Sequence, residues 1–152
     1  MKNWKFSRNY LRVNKRKYDL GIKTAQIIGS DKEIVLDSFS VTTPLGGKIV
    51  VPKGFVSDLA STPRITWSLI PPTGKYKTSA IVHDWLYYSG LVSQKQSDDI
   101  FLYLMRSHKV DPVKRCVMWL GVRLFGFLAY KKHRKQDKNQ LKKFLIRRAF
   151  KK

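Results

Sequence analysis

Apolar residues between positions 22 and 56 come in short bursts: Ile27-Ile28, Ile34-Val35-Leu36, Phe39-Ser40-Val41 and Lys48-Ile49-Val50-Val51, each closed by turn-forming residues. Such bursts predict strands, and Pro44-Leu45-Gly46-Gly47 predicts a hairpin connection between the last two. After Pro52-Lys53-Gly54-Phe55 the pattern changes period. Thr62 suits an N-cap with Pro63 as the first helical residue, until Pro71-Pro72-Thr73-Gly74 breaks the chain again. From Thr78 or Ser79, as caps, a helix is expected to about Tyr88 with Gly90 as its terminator. Its apolar residues surround the axis, the mark of a buried helix.

Ser93-Gln94-Lys95-Gln96 is a capping box and opens a second helix to about His108. On it Asp98, Phe101, Leu102 and Met105 share the apolar stripe, whereas Asp99 and Tyr103 lie to the side. Pro112 starts a third helix through Tyr130, with Val113, Cys116, Val117, Leu120, Leu124 and Phe127 at helical spacing as its expected core face. The fold class is therefore α+β. A small antiparallel β-meander (about 22–56) precedes a three-helix core (about 77–130) in one globular domain spanning 20–130. Residues 1–19 form a basic arm and residues 131–152 a basic amphipathic helical tail.

Charge sharpens that division. The 152-residue chain carries a formal net charge of +21. Residues 1–19 hold +6, residues 20–105 hold +1 and residues 106–152 hold +14. Two polycationic ends on a nearly neutral body call for an anionic partner, for which nucleic acid, an anionic phospholipid membrane or an acidic protein surface would all serve. A solvated surface that only aids solubility is the plainer alternative. A single cysteine, Cys116, excludes a disulfide framework and a cysteine-based zinc site. The basic N-terminus is not followed by an apolar segment, so no secretory signal is expected. The longest apolar run, residues 116–130, is too short for a transmembrane segment and contains Arg123.

The candidate chemistry lies in Ala80-Ile81-Val82-His83-Asp84-Trp85-Leu86-Tyr87-Tyr88, where a base and a carboxylate occupy an otherwise apolar helix. Ala80, His83, Asp84 and Tyr87 share one stripe, and the short loop to the next helix lets Asp98 reach the His83 face. A His held by an Asp is the minimal general-base unit. Each residue also has a purely structural reading. His83 serves as a buried donor to a carbonyl, Asp98 as a buried acid paired with an Arg, Tyr87 as an amphipathic core residue, Asp58 as a turn or cap, and Arg64 as a surface charge. Under the functional reading Asp58 and Arg64, on a nearby loop, join the set as substrate- or anion-binding residues.

Four blocks carry a resemblance. Gly54-Phe55-Val56-Ser57-Asp58-Leu59-Ala60-Ser61-Thr62-Pro63-Arg64, His83-Asp84-Trp85-Leu86-Tyr87, Ser97-Asp98-Asp99-Ile100-Phe101 and Val122-Arg123-Leu124-Phe125-Gly126 resemble a family of uncharacterised proteins found chiefly in tailed bacteriophages and prophages. The likeness covers roughly residues 48–127. It implies a place in the virion or the bacterial host cytoplasm, with other virion proteins as partners. The local pattern H-D-x-x-Y, followed by an inward Asp with a Phe three residues on, is similar to the two-helix active site of secreted-type and parvovirus phospholipases. That similarity implies His83 as general base, Asp84 as a ligand of Ca²⁺, Tyr87 as an orienting partner and Asp98 as the support of His83. The chain departs from it in having one glycine in Pro72-Thr73-Gly74-Lys75-Tyr76, where those enzymes carry a glycine-rich calcium loop.

Two functions follow as expectations. One is a His/Asp hydrolase of an ester or phosphoester, held to an anionic surface by its basic ends. The other is a non-enzymatic virion component or sequence-independent nucleic-acid binder, in which Trp4, Phe6, Tyr10 and Tyr18 stack between phosphate-binding cations.

Overall fold

The computed structural model describes residues 11–13, 22–30, 32–43, 47–59 and 75–149, with side chains described for 22–30, 32–43, 47–59 and 75–135. The architecture is α+β. The strands are β1 (Leu11–Val13), β2 (Thr24–Ile27), β3 (Glu33–Val35), β4 (Phe39–Thr42), β5 (Lys48–Val51) and β6 (Val56–Ser57). Three helices follow, α1 (Lys77–Ser89), α2 (Gln94–Ser107) and α3 (Pro112–Ala149).

The antiparallel β-structure is divided between two sheets, ordered β1-β2-β3-β6 and β4-β5. The hairpin has the expected place, with Phe39 opposite Val51 and Thr42 opposite Lys48, though its connecting residues 44–46 lie outside the described residues. Along β5 the alternation turns Ile49 and Val51 inward and Lys48 and Val50 outward, as a half-buried strand requires. β6, too short to read from sequence, returns to β3 with Ser57 opposite Glu33. β1 falls within the stretch read as a basic arm, and its backbone pairs with β2.

α1 is the hinge between two parts of the core. Ile81, Val82 and Leu86 meet Val35, Ile49 and Val51 from the strands, while Ala80 joins Phe101, Met105, Met118 and Val122 from the other helices. This double role explains why its apolar residues surround the axis. Its start differs from expectation. The N-cap is Tyr76, with no side-chain cap, and Thr78 and Ser79 lie buried inside the helix. Ser79 is diverted to a bond with His108 Nδ1 at 3.0 Å, and Lys77 is drawn inward by Glu33 of β3, 2.7 Å away in a buried ion pair. The stop is as expected, at Gly90 with φ 61°, a left-handed conformation that glycine adopts at little cost. Ser93 and Gln96 form the full capping box of α2.

α3 starts at Pro112 and continues past Tyr130 without a break, so the third helix and the tail helix are one rod. The expected core face of that rod is overturned. Val113, Cys116, Val117, Leu120, Leu124 and Phe127 are exposed, while Met118 and Val122, on the opposite side, are buried against α1 and α2. Both sides of the helix are apolar at the same period, so periodicity cannot choose between them. Among the described residues no helix is long and apolar enough to cross a membrane.

Candidate active site

The phases of α1 and α2 determine what meets where they cross. His83 and Tyr87 are one helical turn apart on α1, and both reach Asp98, which α2 aims inward five residues after its capping residue Ser93. Asp98 Oδ1 accepts from His83 Nε2 at 2.9 Å and from the Tyr87 hydroxyl at 2.6 Å. Its Oδ2 accepts from the Arg123 guanidinium of α3 at 3.2 Å. Asp98 is wholly buried, and both oxygens are engaged by donors, one of them cationic, which is the condition for holding a carboxylate inside a fold.

The imidazole is fixed on its other sides by rings. Tyr87 lies 4.1 Å and Phe101 4.9 Å away, centroid to centroid. Burial lowers the His83 pKa below its ordinary value, against the opposing pull of Asp98 and, more weakly, of Asp58. The ring is therefore neutral at neutral pH, with Nε2–H donating to Asp98 and a lone pair on Nδ1. That Nδ1 is buried and has no hydrogen-bond partner among the described residues. Asp84 Oδ1 stands 4.0 Å from it, beyond hydrogen-bond reach. Tyr87 is pushed far above the ordinary phenol range by burial, reinforced by Asp98, and so remains a donor.

Asp84 serves a second contact. Its Oδ2 accepts the Ser57 hydroxyl of β6, and Ser57 Oγ in turn accepts the Leu59 backbone N–H at 3.0 Å. Leu59 has φ 58°, a conformation rare for a branched side chain, and the Ser57 bond helps to hold it. This chain of bonds brings the loop after β6 to the Nδ1 side of His83. Asp58, expected as a substrate-side residue, is on that loop and exposed. Arg64 lies outside the described residues, as do Thr62 and Pro63.

The residues expected on the two helices are thus brought together, with Asp84 beside them. Sequence reasoning missed Arg123 as the third partner of Asp98, although a lone charge in the apolar run 116–130 was its signal. It also missed Gly126. A Cβ there would come within 3.2 Å of the Tyr87 ring and collide with its hydroxyl. Only glycine lets α3 approach the site so closely.

Calcium takes six to eight oxygen ligands. Among the described residues no group of three or more His, Cys, Asp or Glu side chains could hold a metal ion, and one oxygen of Asp84 is already bonded to Ser57. The described donor set does not fit the calcium ion implied by the phospholipase likeness, so the chemistry is derived without it.

A family model described as a protein of unknown function, DUF1353, matches residues 34–122. No curated protein and no solved structure matches the chain.

Proposed function

Because the chain belongs to the DUF1353 family, proteins of unknown function, we propose its activity from the site itself: a His/Asp-dependent hydrolase of an ester or phosphoester. The observation that carries this reading is the asymmetry of His83. Nε2 is held by Asp98 at 2.9 Å, and Nδ1 is left without a hydrogen-bond partner among the described residues. In the reaction Nδ1 takes a proton from water, and the resulting hydroxide attacks the carbonyl carbon or phosphorus. The imidazolium is stabilised by Asp98 and returns the proton to the departing alkoxide. Tyr87 and Arg123 act as positioning residues through Asp98. The depressed pKa of His83 supports the role, since a base must be unprotonated to act. The likeness to tailed-phage proteins supports a phage setting, in the virion or the host cytoplasm, with the basic ends facing an anionic partner.

The test is hydrolysis by the full chain of phosphatidylglycerol vesicles, a nitrophenyl ester and nucleic acid, each with calcium and with EDTA. His83→Asn is expected to abolish turnover while keeping the circular dichroism spectrum. A wild-type protein inert on every substrate under both conditions overturns the reading.

One observation favours a second reading. His83 is only 3% exposed and Asp98 not at all, as suits a polar knot that orders three helices in a non-enzymatic virion or nucleic-acid-binding protein. This reading expects salt-sensitive DNA binding that is lost on deleting residues 131–152 and unchanged by His83→Asn.

A further inference from the structure

We infer that the solvent side of α3 is a docking surface for an anionic phospholipid bilayer, with the helix lying in the membrane interface. The inference goes beyond the His83 site and holds whether or not that site turns over lipid. Val113, Val117, Leu120, Leu124, Phe127 and Leu128 follow one another at intervals of one to four residues and are all exposed, Leu124 and Leu128 by 63% each. They form a stripe about 22 Å long at 1.5 Å per residue. Phe125, also 63% exposed, widens it on one side.

Soluble surfaces seldom leave so many large apolar side chains contiguous without a partner. Charge decides which partner. Residues 112–135 include seven Lys or Arg and no Asp or Glu. Lys131, Lys132 and Lys135 are exposed at the C-terminal end of the stripe, and Lys131 Nζ stands 5.3 Å over the Phe127 ring. A second copy would bring two such basic rims together, and the repulsion opposes that pairing. A partner helix is specified by a narrow seam with a polar residue that sets register, and this stripe is broad and holds none. An apolar face with a lysine rim is what an anionic interface binds, the rings and leucines entering the acyl boundary and the lysines staying among the headgroups.

Flotation of the full chain with vesicles of ether-linked phosphatidylglycerol and phosphatidylcholine in equal parts tests this. The ether lipid has no carboxylic ester to cleave, and flotation of the His83→Asn variant beside wild type reads binding without cleavage of the phosphodiester, so binding and hydrolysis fail separately. The chain is expected to float with these vesicles and not with phosphatidylcholine alone. The triple variant Leu124→Gln, Phe127→Gln, Leu128→Gln is expected to lose about a hundredfold in partitioning with its melting curve unchanged. The variant Lys131→Gln, Lys132→Gln, Lys135→Gln is expected to lose a similar factor. A wild-type chain that does not float overturns the inference. So does a glutamine triple variant that floats as well as wild type, because the polycationic ends then suffice. A wild-type dimer that the triple variant converts to monomer also overturns it, by placing a second copy on the stripe.

Discussion

The two sides of α3 differ in composition and are opposite in fate. The inner side buries Met118 and Val122, and between them and the helix end it carries Arg123, Gly126, Tyr130 and Arg134. Each of these interruptions has a task. Arg123 reaches Asp98, Gly126 makes room for Tyr87, Tyr130 donates to the Val92 carbonyl at 3.0 Å, and Arg134 donates to the Tyr87 and Ser89 carbonyls at 3.0 and 3.3 Å. The outer side, from Val113 to Leu128, has no such interruption along its stripe and stays in solvent. The less uniformly apolar side is the one that packs. A core must satisfy the polar ends of the elements it covers, and a surface for lipid need not.

Substitutions can break the contrast from either side. Asp98→Ala is expected to have the largest effect, since it leaves the His83, Tyr87 and Arg123 donors facing one another without an acceptor. A loss of about 3 to 5 kcal/mol in urea-unfolding free energy is expected. Gly126→Val drives two methyl groups into the Tyr87 ring and is expected to cost about 1 to 3 kcal/mol by the same measurement. Hydrolysis should fall further than stability in that variant, because Tyr87 is displaced from Asp98.

Acid sharpens the contrast more gently. The His83 pKa is lowered in the folded protein, so as the pH drops the unfolded chain binds that proton first. Its contribution is fully present above the ordinary value of about 6.5 and is lost as the pH falls through the folded value, with a slope of up to about 1.4 kcal/mol per pH unit. Asp98 and, more weakly, Asp58 oppose this loss without reversing it. Unfolding free energies measured at a series of pH values check the sign. Leu120→Gln with Leu124→Gln, on the outer side, is expected to change stability by less than about 0.5 kcal/mol, because neither side chain leaves a cavity.

Much of the site was legible because it lies on short helices with clear boundaries. The capping box at Ser93 marked the start of α2, and the stripe shared with Phe101, Leu102 and Met105 turned Asp98 in and Asp99 out. Gly90 fixed the end of α1 and kept the loop short enough for Asp98 to meet His83. The start of α1 was not legible. Ser79 and Lys77 look like surface residues until His108 and Glu33, 29 residues downstream and 44 upstream, are brought beside them. The inner side of α3 was hidden for another reason. Two apolar stripes at the same period give the same pattern, and only the lone Arg123 and the helical Gly126 distinguish them. Their meaning depends on groups on other helices, Asp98 and Tyr87, that no local window contains.

The contact between Arg134 and the end of α1 has one more consequence. Together with the Arg123 bond to Asp98 it fastens α3 at two points eleven residues apart, about 16 Å along the axis. A rod held in this way behaves like a ruler with two engraved marks. Inserting or deleting one residue between 124 and 133 turns the second mark by about 100° relative to the first, and no rotation of the helix restores both. Chain length within that interval is therefore fixed by the fold, whereas neither mark constrains length beyond Arg134.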